Sequence, residues 1–204
     1  MDVFITENLA TAKVSKAALP PPGQGANGQF KDKAEFREWC RDKDTKGCFF
    51  STFEGVNAHL RVSGSNPPHL LHGLVADYDG DALVGMSDDA VDKALDKKCA
   101  GGWKPRWVSR TFSGKVRCVW TFDTPLRVDG EPLRKRLIDT LVAESKMSGA
   151  LPGFDRSSLN HAQMWERGRD WRELGEDIEG AKLELCFFDA AAKTAGPSMR
   201  VEIP

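Results

Sequence analysis

The sequence predicts an α+β fold, in which an antiparallel β-sheet built from hairpins packs against helices. Two observations indicate this class. Segments that alternate apolar and polar residues follow one another along the chain, and segments with helical spacing fall among them without a regular strand-helix alternation. The chain has 204 residues, of which 40% are apolar, and this is enough to bury one good core. We therefore expect residues 1–204 to form a single domain.

The N-terminal third contains the least regular patterns. Residues 1–30 carry weak apolar periodicity and end in PPPGQGANGQF, which predicts a loop-rich segment because proline and glycine interrupt helices. Helical spacing predicts a helix from Phe30 to Lys43, and an apolar run predicts a strand from Cys48 to Phe53. After a polar loop, a second apolar run predicts a buried strand from Leu70 to Asp79.

The middle of the chain has clear start and turn signals. Ser87 precedes two aspartates and is predicted to cap a helix whose buried stripe includes Val91, Ala94 and Leu95. Two strands are predicted between Arg106 and Phe122, joined by a turn at Ser113-Gly114-Lys115.

The C-terminal part is predicted to be mixed. Leucines at helical spacing after Pro132 predict a helix that ends at Gly149. The segment from Ser158 to Arg167 fits neither pattern clearly, a strand is predicted from Lys182 to Phe188, and a final helix is predicted from Asp189.

Composition narrows the functional classes. A net charge of -1 and an isoelectric point near 6.4 exclude binding of nucleic acid by a global positive field, so any such binding must be local. Five cysteines without paired spacing favour reduced thiols over a disulfide framework. With no apolar run of membrane-spanning length and no leader pattern in the first 20 residues, we expect a cytoplasmic protein without membrane contact.

The most informative stretch is LVADYDGD, from Leu74 to Asp81. Side chains alternate faces along a strand, so Asp77 and Asp79 should point the same way, about 6 to 7 Å apart. Two such carboxylates repel each other unless a cation sits between them, and an all-oxygen site favours Mg²⁺ or Mn²⁺. The alternative is that the two acids are solvated in an Asp-Gly turn at the end of a strand.

The segment from Lys104 to Phe122 has a local positive charge. It contains five cations and no acid, with aromatic residues between them. This pattern suits phosphate contact and base stacking on a single strand, for which Arg106 and Arg110 are the candidates, although an ordinary amphipathic hairpin has the same pattern.

Three short motifs occur in one order: LVADYDGD, FSGKVRCVW and GFD. In this order they resemble the motifs of the archaeo-eukaryotic primase superfamily, particularly the primase-polymerase domains of phages and plasmids. The resemblance extends over roughly Phe49 to Gly168, and its strictest match is the first motif. The second motif departs from the pattern, because Arg117 stands where that family typically has histidine.

The resemblance implies an RRM-like antiparallel catalytic sheet packed with an N-terminal α/β unit. It also implies synthesis or extension of primers on a single-stranded DNA template from nucleoside triphosphates, by a two-metal mechanism using Mg²⁺ or Mn²⁺. The implied metal ligands and catalytic acids are Asp77, Asp79 and Asp155, although Asp155 has an alternative role as a helix N-cap. The implied triphosphate contacts are Ser113, Lys115 and Arg117; an arginine can bind phosphate through two donors. In that family a domain of this kind commonly precedes a helicase. The resemblance therefore implies that the chain is one module of a longer replication protein.

Two other functional classes stay open from the sequence. A metal-dependent nuclease also uses clustered acids, but it usually has more acids or a histidine near its metals. A non-catalytic RRM-like module for nucleic acid is favoured by the arginine at position 117.

Overall fold

A computed structural model describes residues 4–6, 26–29, 49–57, 62–99, 103–166, 168–179 and 183. Within these residues the fold is mixed, with antiparallel sheets and two α-helices. The predicted α+β class is confirmed. The RRM-like arrangement stays a prediction.

The strands of the described residues form two sheets. In chain order they are β1 (Phe4–Thr6), β2 (Ala26–Gln29), β3 (Phe49–Ser51), β4 (Phe53–Gly55), β5 (Pro68–Tyr78), β6 (Trp107–Arg110), β7 (Val116–Arg127), β8 (Phe154–Asp155), β9 (Trp165–Glu166) and β10 (Arg169–Glu173). The larger sheet has the order β10-β6-β7-β5-β4, and β8 also pairs with β5. The smaller sheet has the order β2-β1-β3-β9.

The pair of long strands β5 and β7 forms the centre of the larger sheet. Alternation divides each strand between two faces, as the sequence predicts. The core receives Leu74, Ala76 and Tyr78 from β5, together with Val116, Cys118, Trp120 and Phe122 from β7. The residues between them, including Asp77 and Arg117, therefore lie on the opposite face of the sheet.

The structure has two α-helices among its described residues. In chain order, α1 (Asp88–Lys98) lies between β5 and β6, and α2 (Glu131–Ser145) lies between β7 and β8. The start of α1 confirms the predicted cap, because the Ser87 hydroxyl accepts a hydrogen bond from the Ala90 amide at 3.3 Å. The predicted end of α2 at Gly149 is wrong. The helix stops earlier because Lys146 adopts a left-handed conformation with φ of 54°, which breaks the helical hydrogen-bond pattern.

Another difference from the predicted strands lies where the chain passes from one sheet to the other. The predicted strand from Cys48 to Phe53 is divided between β3 and β4, which belong to different sheets. The Ser51 hydroxyl accepts a hydrogen bond from the Phe53 amide at 3.1 Å, replacing a ladder bond where the chain crosses over. The described parts of residues 1–30 are the strands β1 and β2, although this segment is predicted to be loop-rich.

Several predictions fall on other parts of the chain. The helices predicted at residues 30–43 and from Asp189 lie outside the described residues. So does the strand predicted at Lys182 to Phe188, apart from Leu183, which has a helical conformation and whose amide donates to the Glu179 carbonyl at 3.2 Å. Among the described residues, no helix combines the length and apolar character needed to cross a membrane.

The two cysteines in the described part of the chain, Cys99 and Cys118, are both free and buried. This agrees with reduced thiols, and burial raises the pKa of the Cys99 thiol to about 11. Both thiols therefore stay protonated and unreactive near neutral pH.

Candidate functional site

Strand register brings the three sequence motifs together at the end of β5. On one side, Asp77 pairs with Arg117 of β7. On the other side, Asp77 pairs with Asp155 of β8. Because paired residues on adjacent strands are close neighbours, residues that are distant in sequence become a single cluster.

Asp77 and Arg117 form a two-pronged ion pair. The Arg117 Nε donates to Oδ1 of Asp77 at 2.6 Å, and its Nη2 donates to Oδ2 at 2.8 Å. The Arg117 Nη1 also donates to the backbone carbonyl of Glu166 in β9. The side chains of Arg117 and Asp77 are only 8% and 17% exposed. Arg117 therefore lies on the face of the acids, and its predicted contact with a triphosphate stays a prediction.

Asp79 follows directly after β5 and is exposed, with its backbone amide bound to the Gly153 carbonyl at 2.7 Å. The pKa of the Asp79 carboxyl is raised by partial burial and by the negative charges of Asp77 and Asp155. Lys115 and Arg117 oppose this increase in pKa. Two acids and two cations therefore act on the Asp79 carboxyl, and partial burial is the largest cause of its raised pKa.

Asp155 has a structural role as well as its place beside Asp77. Its Oδ1 accepts from the Ser157 amide at 2.8 Å, and its Oδ2 accepts from the Ser157 hydroxyl at 2.6 Å. It caps the 3-10 helix Arg156–Leu159. The alternative interpretation of Asp155 as an N-cap is therefore correct, and its assignment as a metal ligand stays a prediction.

The three acids have the ligand type that suits a divalent cation, but their arrangement does not form a metal site in this structure. Carboxylate oxygens are the ligands that Mg²⁺ and Mn²⁺ prefer, and a cation would offset the repulsion by Asp77 and Asp155, which raises the pKa of Asp79 further than burial alone does. Within the described part of the chain, however, no group of three or more acidic, histidine or cysteine side chains is gathered closely enough to hold a metal ion. Both carboxylate oxygens of Asp77 accept hydrogen bonds from Arg117.

Lys115 connects the hairpin turn to the acidic segment. Its Nζ donates to the backbone carbonyl of Asp79 at 2.8 Å and to Oδ1 of Asp81 at 2.7 Å. The ion pair lowers the pKa of Asp81. Ser113 is exposed at the turn, where its hydroxyl is 3.0 Å from that of Thr111. Lys115 therefore lies beside the acidic segment and binds it, whereas Ser113 bonds within the turn, and the triphosphate contacts predicted for both residues stay predictions.

Arg106 and Arg110 occupy a different environment from an exposed basic hairpin, because both are buried. Arg106 pairs with Glu173 at 2.9 Å and with Asp177 at 2.6 Å. These contacts give it a structural role, and its assignment to nucleic-acid binding stays an untested prediction.

The guanidinium of Arg110 connects three parts of the chain. It donates to the Asp88 carboxylate and to the backbone carbonyls of Leu83, Met86 and Gly114. It therefore holds the start of α1 and the hairpin turn together, and its assignment to nucleic-acid binding likewise stays untested.

We expect Arg110→Met to destabilise the fold. The substitution removes four hydrogen bonds of a buried guanidinium, two of them to the part-buried carbonyls of Met86 and Gly114, which should lower the free energy of unfolding by about 2 to 4 kcal/mol. Urea denaturation measures the change. The matched control is Arg127→Met: Arg127 is 74% exposed and pairs with Asp129, so its loss should cost less than about 0.5 kcal/mol. Equal stability of the two variants would contradict the structural role of Arg110.

The structure also shows a pocket of mixed charge, lined by three cations and two acids, that the sequence analysis does not predict. A cavity of about 350 Å³ lies between α2 and the segment after Asp155. It is lined by Glu131, Arg134, Lys135, Ile138, Asp139, Arg156, Ser157, Leu159, Asn160 and His161. The corresponding signal in the sequence is the basic run LRKR at the start of α2, for which helical spacing predicts only a helix. Ser157 joins this pocket to the acidic cluster, because it also binds Asp155.

No protein-family model matches the chain, and no curated protein matches it. Among solved structures, the chain is similar to the AEP domain of the primase-polymerase of cyanophage S-2L. The two have 13% sequence identity and a TM-score of 0.49, over 91% of this chain and 89% of that chain. A similarity at this level assigns neither a family nor an activity.

Proposed function

We propose that the protein is a nucleotidyltransferase that synthesises or extends primers on a single-stranded DNA template. The observation that carries this proposal is the strand register at Asp77, which has Arg117 on one side and Asp155 on the other. Three motifs chosen from the sequence alone thus become neighbours. A chance match of short motifs gives no reason for such an arrangement.

In the proposed reaction the acids bind metal and the cations bind the triphosphate. Asp77, Asp79 and Asp155 would hold Mg²⁺ or Mn²⁺, which neutralises charge on a transferring phosphoryl group. The positive charges of Lys115 and Arg117 lie on the neighbouring strand and its turn, where they can orient a triphosphate. The attacking group belongs to the primer or to a second nucleotide, so the protein needs to supply no nucleophile.

The proposed path for the template strand follows the pocket between α2 and the segment after Asp155. Arg134, Lys135 and Arg156 line it, and Arg156 is 63% exposed. Arg106 and Arg110 are buried in contacts within the protein. Accessible cations are the ones that release counterions when they meet phosphates, so the pocket is a better location for the strand than the two buried arginines.

A non-catalytic nucleic-acid module is the second candidate, and one observation favours it. Arg117 binds both oxygens of Asp77, which leaves that acid satisfied without a metal. In this alternative the ion pair is purely structural, and the acids have no part in chemistry.

Incubation of the protein with a single-stranded template, labelled nucleotides and Mg²⁺ or Mn²⁺ distinguishes these functions. Template-dependent extension would support the proposal. Binding of the template without incorporation would support the module, and degradation of the template would indicate a nuclease.

Binding to single-stranded DNA should weaken as salt rises, and cations at the pocket should set part of that dependence. We expect Arg134→Gln to reduce the slope of log affinity against log salt by roughly 0.7 to 1. Fluorescence anisotropy at several salt concentrations measures the slope. Arg127→Gln is the matched control, since Arg127 is exposed and pairs with Asp129. An unchanged slope in Arg134→Gln, or an equal decrease in the control, would remove the pocket from the strand path.

A further inference from the structure

Two segments of the chain lie against each other beside the end of β5. The acidic loop, residues 79–86, follows β5, and the basic turn, residues 111–115, joins β6 to β7. Lys115 of the turn binds the loop, because its Nζ donates to the Asp79 carbonyl at 2.8 Å and to the Asp81 carboxylate at 2.7 Å. The place of the Lys115 ammonium therefore depends on how the turn is set against the loop.

A single buried guanidinium, that of Arg110, binds both segments. In the acidic loop it donates to the carbonyl of Leu83 at 2.7 Å and to that of Met86 at 2.6 Å. In the basic turn it donates to the Gly114 carbonyl at 3.2 Å. Its Nε donates to the Asp88 carboxylate at the start of α1, at 2.8 Å. The side chain of Arg110 is only 9% exposed, so these donors are directed to the protein rather than to solvent.

The contact between the two segments is close at the turn glycine. Gly114 has φ of +83°, and an added Cβ there would lie 3.5 Å from a methyl group of Val84 in the loop. A guanidinium is planar and its donors have fixed directions. The loop and turn carbonyls that Arg110 binds are therefore held at one spacing.

We propose that Arg110 is a positioning residue, which sets the basic turn against the acidic loop and thereby holds Lys115 beside Asp79. This inference rests on the proposed function, since Lys115 is the residue proposed to orient the triphosphate. It gives Arg110 a part in that site without any contact with substrate. A lysine at this position would keep the charge, but its single ammonium lacks the planar fork that reaches the loop and the turn together.

Trace acetylation of the native protein, located by tandem mass spectrometry, tests the position of Lys115. The Lys115 side chain is 17% exposed and its amine is held by two hydrogen bonds, so it should react slowly. Lys93 is 74% exposed and serves as the reference within the same molecule. Arg110→Lys should raise the ratio of Lys115 to Lys93 acetylation at least about threefold, because the turn is released from the loop.

Arg106→Lys is the matched control for a general loss of stability. The Arg106 side chain is 10% exposed, and it pairs with Glu173 and Asp177 rather than with the loop or the turn. The two variants are compared at urea concentrations, below the unfolding transition, that give them equal free energies of unfolding. The ratio should then rise in Arg110→Lys alone. An equal rise in Arg106→Lys, or no rise in Arg110→Lys, would overturn the proposal.

Asp88→Asn covers the case in which Arg110→Lys fails to fold. It removes the carboxylate that binds the Nε of Arg110 and leaves Arg110 itself in place, and the Asp88 side chain is 42% exposed. The acetylation ratio should rise here too, and an unchanged ratio would overturn the proposal. None of these readouts needs turnover, so the expected pattern in a protein that incorporates no nucleotide would contradict only the proposed function.

Discussion

Asp79→Asn should lower nucleotide incorporation by at least about 10²-fold while the protein stays folded. The substitution removes a carboxylate that the proposed chemistry needs, and it removes little else, because Asp79 lies exposed just after β5. Incorporation of labelled nucleotides on a single-stranded template measures the loss. Asp89→Asn is the control: Asp89 is an exposed acid in α1 that pairs with Lys93, and incorporation should be unchanged.

The stability of Asp79→Asn should depend on pH in a defined direction. In the folded protein the pKa of Asp79 is raised, first by burial and then by Asp77 and Asp155. Folding therefore favours the protonated carboxyl, and stability is lost as pH rises through the raised pKa. The neutral amide avoids this loss, so the variant should be slightly more stable than the wild type at neutral pH and equally stable at low pH. Solvent screening keeps the difference small.

Asp77→Asn should also prevent incorporation, but with the opposite effect on stability. An amide offers only one oxygen to Arg117, so the two-pronged pair at 2.6 and 2.8 Å is lost and a buried guanidinium is left partly unpaired. Denaturation at pH 7 should rank Asp79→Asn above the wild type and Asp77→Asn below it. Wild-type incorporation by Asp79→Asn would contradict its catalytic assignment, and equal stabilities would contradict the described charge environment.

Local patterns were sufficient to predict the elements that carry the site. Alternation predicts that Asp77 lies on the opposite face of the strand from its neighbours Ala76 and Tyr78, which the structure packs into the core, and the cap predicted at Ser87 marks the start of α1. These predictions succeeded because period-two alternation and capping depend on residues a few positions apart.

Contacts between distant segments could not be predicted in the same way. The local density of cations makes Arg110 a candidate for phosphate contact but gives no sign of its burial against Asp88 and three backbone carbonyls, which tertiary packing produces. The bond between Arg117 and Asp77 depends on the register between β5 and β7, which a single strand pattern does not specify. The early end of α2 depends on the left-handed conformation of Lys146, which this residue type rarely adopts.

Gly153→Ala should destabilise the protein and separate Asp155 from the other acids. Gly153 has φ of +76°, and an added Cβ would lie 2.1 Å from the Gly80 nitrogen and 2.8 Å from the Asp79 carbonyl carbon. The strain and the clash should lower the free energy of unfolding by about 2 to 4 kcal/mol. Relief of the clash requires the backbone around Gly153 and that of Asp79 and Gly80 to move apart, and a displacement of about 1 Å at a catalytic group costs about 10²-fold in rate.

Gly149→Ala is the matched control for this substitution. Gly149 lies four positions earlier in the same segment, and an added Cβ there meets no atom within 4 Å. It should leave incorporation unchanged and stability unchanged or slightly increased, since alanine restricts the unfolded chain. If Gly153→Ala loses stability but keeps wild-type incorporation in its folded fraction, Asp155 serves only as the cap of the following 3-10 helix. A loss of incorporation in that folded fraction, with Gly149→Ala unaffected, would instead require Asp155 to lie beside Asp77 for the chemistry.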